Sequence, residues 1–305
     1  MTLEVKDLKE RIGELKLKKQ AVVLAHNYQL PDLQDIADFL GDSLELSRIA
    51  RDCKARLIVF CGVRFMAETA KILSPKKKVV LPVAEAGCPL ADTITPEDLQ
   101  KLKKQHPEAK VVSYVNSSAE IKALSDVCCT SANAVTVVKH IGTKKVLFVP
   151  DQNLGHWVAR HNPDKEIISW PGYCYVHQLF SLKDVEIARK NFPRAEIMVH
   201  PECRPEVQDS ADFVLSTSGM LKQAKESAAT TLVVGTEEGL IYRLRKENPG
   251  KTFYSLGNAR ICLNMKKTSL NDLYQALELE QPEVDLDPRV MERARKALEE
   301  MVRFV

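Results

Sequence analysis

The sequence predicts an α/β protein built from three homologous three-layer α/β/α units. Short continuous Val/Ile/Leu-rich runs alternate with amphipathic helical stretches, the pattern of parallel sheets covered on both faces. Three segments align with one another without gaps. At 305 residues, the chain can hold two or three compact units of roughly 100 to 150 residues each.

Val5, Leu8, Ile12 and Leu15 recur at helical spacing and predict an N-terminal helix; Pro288 to Val302 predict a C-terminal one. Between them the strand candidates are AVVLA from Ala21, RLIVF from Arg56, KVVLPV from Lys78, KVVSYV from Lys110, KVLFV from Lys145, EIMVH from Glu196, TLVVG from Thr231 and KTFYSL from Lys251. The Lys76 to Lys78 and Lys144 to Lys145 clusters read as solvated turns.

The aligned segments are HNYQLPDLQDIADFLGDSLEL from His26, YVNSSAEIKALSDVCCTSANA from Tyr114 and HPECRPEVQDSADFVLSTSGM from His200. Their starts are 88 and 86 residues apart. The expected organisation is an N-terminal helix (1–19), units at 20–108, 109–193 and 194–282, and a C-terminal helix (283–305). Each segment opens with a polar residue at its first and third positions: His26 and Tyr28, Tyr114 and Asn116, His200 and Glu202. Seventeen residues after each start stands a hydroxyl, Ser43, Ser131 or Thr217. Packing rhythm explains apolar matches between such units, but these polar matches sit where strands end, the edge at which open α/β sheets place ligands.

With 45% hydrophobic and 28% charged residues and a net charge of +3, nothing resembles a disordered segment or a nucleic-acid arm. No apolar run approaches the roughly 20 residues of a membrane span, and the charged N-terminus is unlike a signal peptide. The expectation is a soluble cytoplasmic protein. Its eight cysteines are then core residues, metal ligands or reactive thiols rather than disulfides.

The repeat sorts them. Cys88, Cys174 and Cys262 lie 62, 60 and 62 residues after their unit starts, and only this position holds cysteine in all three copies. Cys53, Cys61, Cys128, Cys129 and Cys203 have no counterparts and read as core or loop residues. Three thiols on equivalent loops can converge on one pseudo-threefold axis. Such a set suits a [4Fe-4S] cluster with one iron left without a protein ligand, an open position for substrate. A Cys₃ zinc with bound water, serving a hydrolase or lyase on a small anionic substrate, is the alternative; a non-catalytic dicarboxylate-binding protein is another.

Ser43, Ser131 and Thr217 each precede a helical run and are expected as N-caps, where unpaired N–H groups attract carboxylate or phosphate. His26, His200, Tyr114 and Asn116 would add hydrogen bonds. Tyr28 and Glu202 can move protons, and His177, three residues after Cys174, is a candidate contact residue.

AHNYQ, IADFLGDSLELSRIA, CGVRFMAETAKIL, GCPLAD, SYVNSSAEIKALSD, CCTSANA, PDQNLGHWVA, WPGYCYVH, VHPECRPEV, STSGM and CLNMKK together closely resemble the quinolinate synthase family of NAD biosynthesis, over about residues 20 to 267. The resemblance implies three α/β/α domains in a triangle around a central active-site cavity, with a [4Fe-4S] cluster on Cys88, Cys174 and Cys262. It implies condensation of iminoaspartate (iminosuccinate) with dihydroxyacetone phosphate to quinolinate, phosphate and two waters. By position, His26, Ser43, Tyr114, Asn116, Ser131, His177, His200, Glu202 and Thr217 are implied to contact substrate, and Tyr28, Glu202 and His200 to act in catalysis. Functional coupling to an aspartate oxidase or aspartate dehydrogenase is expected, and no nucleic-acid or membrane partner. Some members carry a CxxC at the third cluster cysteine, whereas this chain reads CLNM from Cys262; no thiol switch is expected there.

Overall fold

A computed structural model describes residues 5–304. It contains three parallel four-stranded sheets. The first comprises β1 (Ala21–His26), β2 (Phe39–Gly41), β3 (Leu57–Cys61) and β4 (Lys78–Val80). β5 (Lys110–Tyr114), β6 (Val127–Cys129), β7 (Lys145–Val149) and β8 (Glu166–Ser169) form the second. In the third are β9 (Glu196–Val199), β10 (Phe213–Val214), β11 (Thr231–Gly235) and β12 (Thr252–Ser255). All three share one order, β2-β1-β3-β4 and its equivalents. Eight strands coincide with the apolar runs; β2, β6, β8 and β10 correspond to no such run. Lys78 and Lys145 begin strands β4 and β7 rather than lying in turns.

Alternation along the strands sorts the core. In β1, Val23 and Ala25 pack outward against helices Val5–Lys19 and Leu270–Leu279, while Val22 and Leu24 face inward. Sheets two and three have their own outer clusters, around Val111 and Leu147 and around Ile197 and Val233. The inner faces of all three sheets share a single continuous core. Helix Leu270–Leu279, which falls in the sequence window of the third unit, packs on the first sheet beside the N-terminal helix. Helix Pro288–Met301 crosses to β6 and helix Ala119–Ala123.

One position eight residues after each unit start joins the units. Gln34 Nε2 donates to the carbonyls of Asn27 (3.2 Å) and Gln29 (2.8 Å) in its own loop and to Gly239 (2.9 Å) in the third unit. Gln208 Nε2 donates to Pro201 (2.8 Å) and Cys203 (2.7 Å) and to Asn153 (3.2 Å) in the second. Lys122 Nζ donates to Ser117 (2.6 Å) and to Phe65 (3.4 Å) in the first. Gly239, Asn153 and Phe65 all lie 39 residues after their own unit starts. The contact is therefore one head-to-tail interface repeated three times, which closes into a ring.

Candidate active site

All thirteen residues singled out from the sequence line one cavity where the three units meet: His26, Tyr28, Ser43, Cys88, Tyr114, Asn116, Ser131, Cys174, His177, His200, Glu202, Thr217 and Cys262. β1 and β5 end in His26 and Tyr114 and β9 is followed directly by His200, and these side chains together with Tyr28, Asn116 and Glu202 two residues further on line this space. Its lining is mixed, since Val63, Phe65, Met66, Leu90 and Met265 contribute to it as well.

The hydroxyl positions correct one expectation. The N-caps are Asp42, Asn133 and Ser216, not Ser43, Ser131 and Thr217. Asp42 accepts from Leu44 N and Glu45 N, and Ser216 from Gly219 N. With an adjacent residue doing the capping, Ser43 and Thr217 occupy the first helical position and their hydroxyls are released toward the cavity. Ser131 sits in the turn before a helix that begins only at Ala134. Cross-unit contacts fix two of the three: Asn27 Nδ2 donates to Thr217 Oγ1 (2.9 Å), and His200 Nε2 lies 3.2 Å from Ser131 Oγ. Asn27, which carried no expected chemistry, is fully buried and also accepts from Arg243 at 2.6 Å.

Charge is concentrated at Glu202, 3% exposed. Its Oε2 lies 2.9 Å from His177 Nδ1 and 3.1 Å from His200 Nδ1, and Asn116 Nδ2 reaches Oε1 at 3.5 Å. The His177 contact is close but poorly aligned for a hydrogen bond. Burial alone would raise the Glu202 pKa, yet the paired histidines hold it well below the usual carboxylate range. Tyr28 shifts the opposite way: burial pushes its phenol well above 10.0, so it stays protonated. Burial lowers His26 to about 3, with His200 and Lys266 adding to the effect, so this imidazole is neutral. Tyr28 N donates to His26 Nδ1 (3.2 Å), which leaves the His26 Nε2–H for the cavity.

Cys88, Cys174 and Cys262 lie on the loops after β4, β8 and β12. Burial pushes Cys88 up to about 12, Cys174 well above 9.0 and Cys262 upward. Bare thiols here stay protonated, and only a bound cation would hold them as thiolates. Two carboxylates missed by sequence support these loops. Asp151 Oδ2 accepts from Cys174 N (3.2 Å) while Oδ1 caps helix Gln152–His161 through Leu154 N (2.7 Å). Glu237 accepts from Cys262 N (3.1 Å) and Gly239 N (2.7 Å) and pairs with Lys266 (2.9 Å). Both stand 37 residues after their unit starts and both are fully buried. The first unit has Val63 there, and its loop is tied by Arg64 N to Ala86 O (2.8 Å) instead. Cys61, Cys128, Cys129 and Cys203 are buried elsewhere, and Cys53 faces Lys77 Nζ at 3.5 Å.

Three related loops delivering one cysteine apiece, beside a buried ionised glutamate and a protonated phenol, describe a specialised enzyme site. The family model described as quinolinate synthetase A protein matches residues 10–303. The chain belongs to the quinolinate synthase family. Curated quinolinate synthases align over almost their whole length. That of Alkaliphilus metalliredigens is 52% identical across 96% of this chain and 97% of its own. The Caldicellulosiruptor saccharolyticus protein is 48% identical, covering 98% and 99%, and the Methanoregula boonei protein 49%, covering 97% of each. The quinolinate synthase fold here is thus α/β with three parallel four-stranded sheets, and no helix among the described residues is long and apolar enough to cross a membrane.

Proposed function

We propose that this chain condenses iminoaspartate with dihydroxyacetone phosphate to quinolinate, phosphate and two waters, in the cytoplasm, with a [4Fe-4S] cluster held by Cys88, Cys174 and Cys262. The observation that carries the reading is the single cavity joining those three cysteines to Tyr28, Glu202 and the histidines. The units are taken as 20–108, 109–193 and 194–282 with flanking helices, and the unstable imine is taken to come from an aspartate oxidase or aspartate dehydrogenase.

The donor set fits the cluster better than a single ion. Among the described residues, the group of three donors within 4.8 Å of one another is Cys174, His177 and Glu202, not the three cysteines. A zinc on three thiolates needs bonds of about 2.3 Å and therefore close-set sulfurs. Moreover, His177 Nε2 is engaged by Thr236 (2.8 Å) and its Nδ1 lies 2.9 Å from Glu202, so that group is occupied with its own contacts. Bound on the three cysteines, the cluster supplies one iron with no protein ligand, a Lewis acid for loss of water.

The protein's own groups do the rest. Glu202, ionised and deep in the cavity, takes a proton from carbon or hydroxyl; Tyr28 gives one to a departing oxygen. His26 Nε2–H, Asn116 and Tyr114 hold carbonyl and hydroxyl oxygens. The substrates bring two carboxylates and one phosphate. Helix starts at Ser43 and Thr217 take two of these anions, and Ser131 with His200 takes the third. A ligand-bound structure with all three anions on one unit would sink that assignment.

Anaerobic purification followed by a quinolinate assay tests the whole reading. The expected outcome is a brown protein with about four irons and four sulfides per chain that turns over. Colourless zinc-loaded protein, or no quinolinate from the iron-reconstituted chain, defeats it. Cys88→Ala, Cys174→Ala and Cys262→Ala should each abolish iron and activity, whereas Cys53→Ala and Cys203→Ala keep the iron.

A further inference from the structure

Behind the cavity wall, one hydroxyl of the third unit touches the chemistry-bearing side chains of the other two. Thr236 follows β11 and is 1% exposed. Its Oγ1 lies 2.5 Å from Tyr28 Oη and 2.8 Å from His177 Nε2. We propose that Thr236 is a positioning residue for the reaction, its hydroxyl bridging the Tyr28 phenol and the His177 imidazole. This inference rests on the reading of Tyr28 as the proton donor.

A threonine hydroxyl has one hydrogen to give and lone pairs to receive, so it can bridge two polar groups at once. Both contacts are at hydrogen-bond distance and both partners come from other units, so one hydroxyl holds the phenol and the imidazole in a fixed relation. His177 in turn places its Nδ1 2.9 Å from the Glu202 carboxylate.

The backbone fixes Thr236 in place. A Cβ on Gly235 would come within 2.8 Å of Val199 Cγ1 and 2.9 Å of Leu256 Cδ2, so the end of β11 is clamped between β9 and the segment after β12. A Cβ on Gly239 would meet Tyr28 O at 2.7 Å, so the same turn presses on the Tyr28 backbone. Glu237, the next residue, pairs with Lys266, whose amine also donates to Tyr28 O. Both ends of Tyr28, carbonyl and phenol, are therefore set by this one turn.

The test compares reconstituted wild type, Thr236→Val and Thr236→Ser, measuring quinolinate formation, iron content and melting midpoint. Valine keeps the shape and removes the hydroxyl; serine restores it. Thr236→Val should lower kcat roughly 10- to 100-fold, with KM within about twofold, and Thr236→Ser should recover most of the loss. Iron content and melting midpoint should stay near wild type in both, an outcome a merely structural role does not give. If valine prevents folding, Thr236→Ala removes the same hydroxyl with less crowding. Wild-type kcat in Thr236→Val, or a serine variant as slow as valine, overturns the proposal. A wild-type chain that makes no quinolinate overturns the functional reading instead, and leaves Thr236 no reaction to serve.

Discussion

The ring of inter-unit contacts is made with glutamine in the first and third units and with lysine in the second, and the two solutions differ in cost. Gln34 and Gln208 each spread two N–H groups over three carbonyls, and each leaves its buried Oε1 without a partner. Lys122 has no acceptor to strand, since an ammonium only donates, but it is fully buried. Burial lowers its pKa, opposed by Glu68, whose own pKa burial raises and whose Oε2 is unpartnered. The Phe65 ring 5.5 Å beneath the amine gives further support. Equivalent geometry is thus reached either by tolerating an orphan oxygen or by tolerating a buried amine. The comparison shows that two carbonyl positions, three and 39 residues after each start, are the constant and the donor is the variable.

Removing a glutamine donor should hurt most. Gln208→Leu strands three buried carbonyls and should cost about 3 to 5 kcal/mol of stability, read as a shift in urea midpoint. A loss under about 1 kcal/mol would mean that the carbonyls find other partners. Lys122→Met strands two carbonyls but also removes the buried amine, so about 2 to 4 kcal/mol is expected. Equal losses for both variants would erase the distinction drawn here.

Lys122→Gln sharpens it further. The amide is one atom shorter, and about 1 kcal/mol should be lost near neutral pH. The pH dependence should also change. Because the folded pKa of Lys122 lies below 10.5, the unfolded chain binds more protons between the two values, and stability rises with pH across that window. Lys122→Gln should flatten this rise. His26 contributes a similar slope at acid pH: its folded pKa of about 3 against 6.5 unfolded means stability falls as pH drops from about 6.5 toward 3. Lys122→Gln should leave that acid limb intact.

Sequence carried much of this, for identifiable reasons. Runs such as AVVLA and TLVVG are long and apolar enough to declare themselves as strands. β10 has two residues and β2 and β6 three each, edge positions beside β9, β1 and β5; so short a segment shows no periodicity. The polar positions at strand ends emerged because they recur in register. The caps lie one residue from Ser43 and Thr217 and two from Ser131 because DS offers two candidate residues, STS three and SAN two, and sequence does not say which one turns back onto the helix. Gln34, Lys122 and Gln208 share a position but not a residue type, so no identity flagged them. Thr236, Glu237 and Asp151 lie beyond the aligned segments, where the first unit has Gly62 and Val63.

A homotrimer closed by the same head-to-tail contact would show every substitution three times around its axis. One glutamate would become three facing each other, and each loop would need to serve every role. Joining the units in one chain frees each copy to diverge alone: His26, Tyr114 and His200 at one level, Tyr28, Asn116 and Glu202 at the next. The frame keeps its near-symmetry while its centre loses it. That is what the proposed reaction between two dissimilar substrates would require, a single base and a single acid in one asymmetric centre.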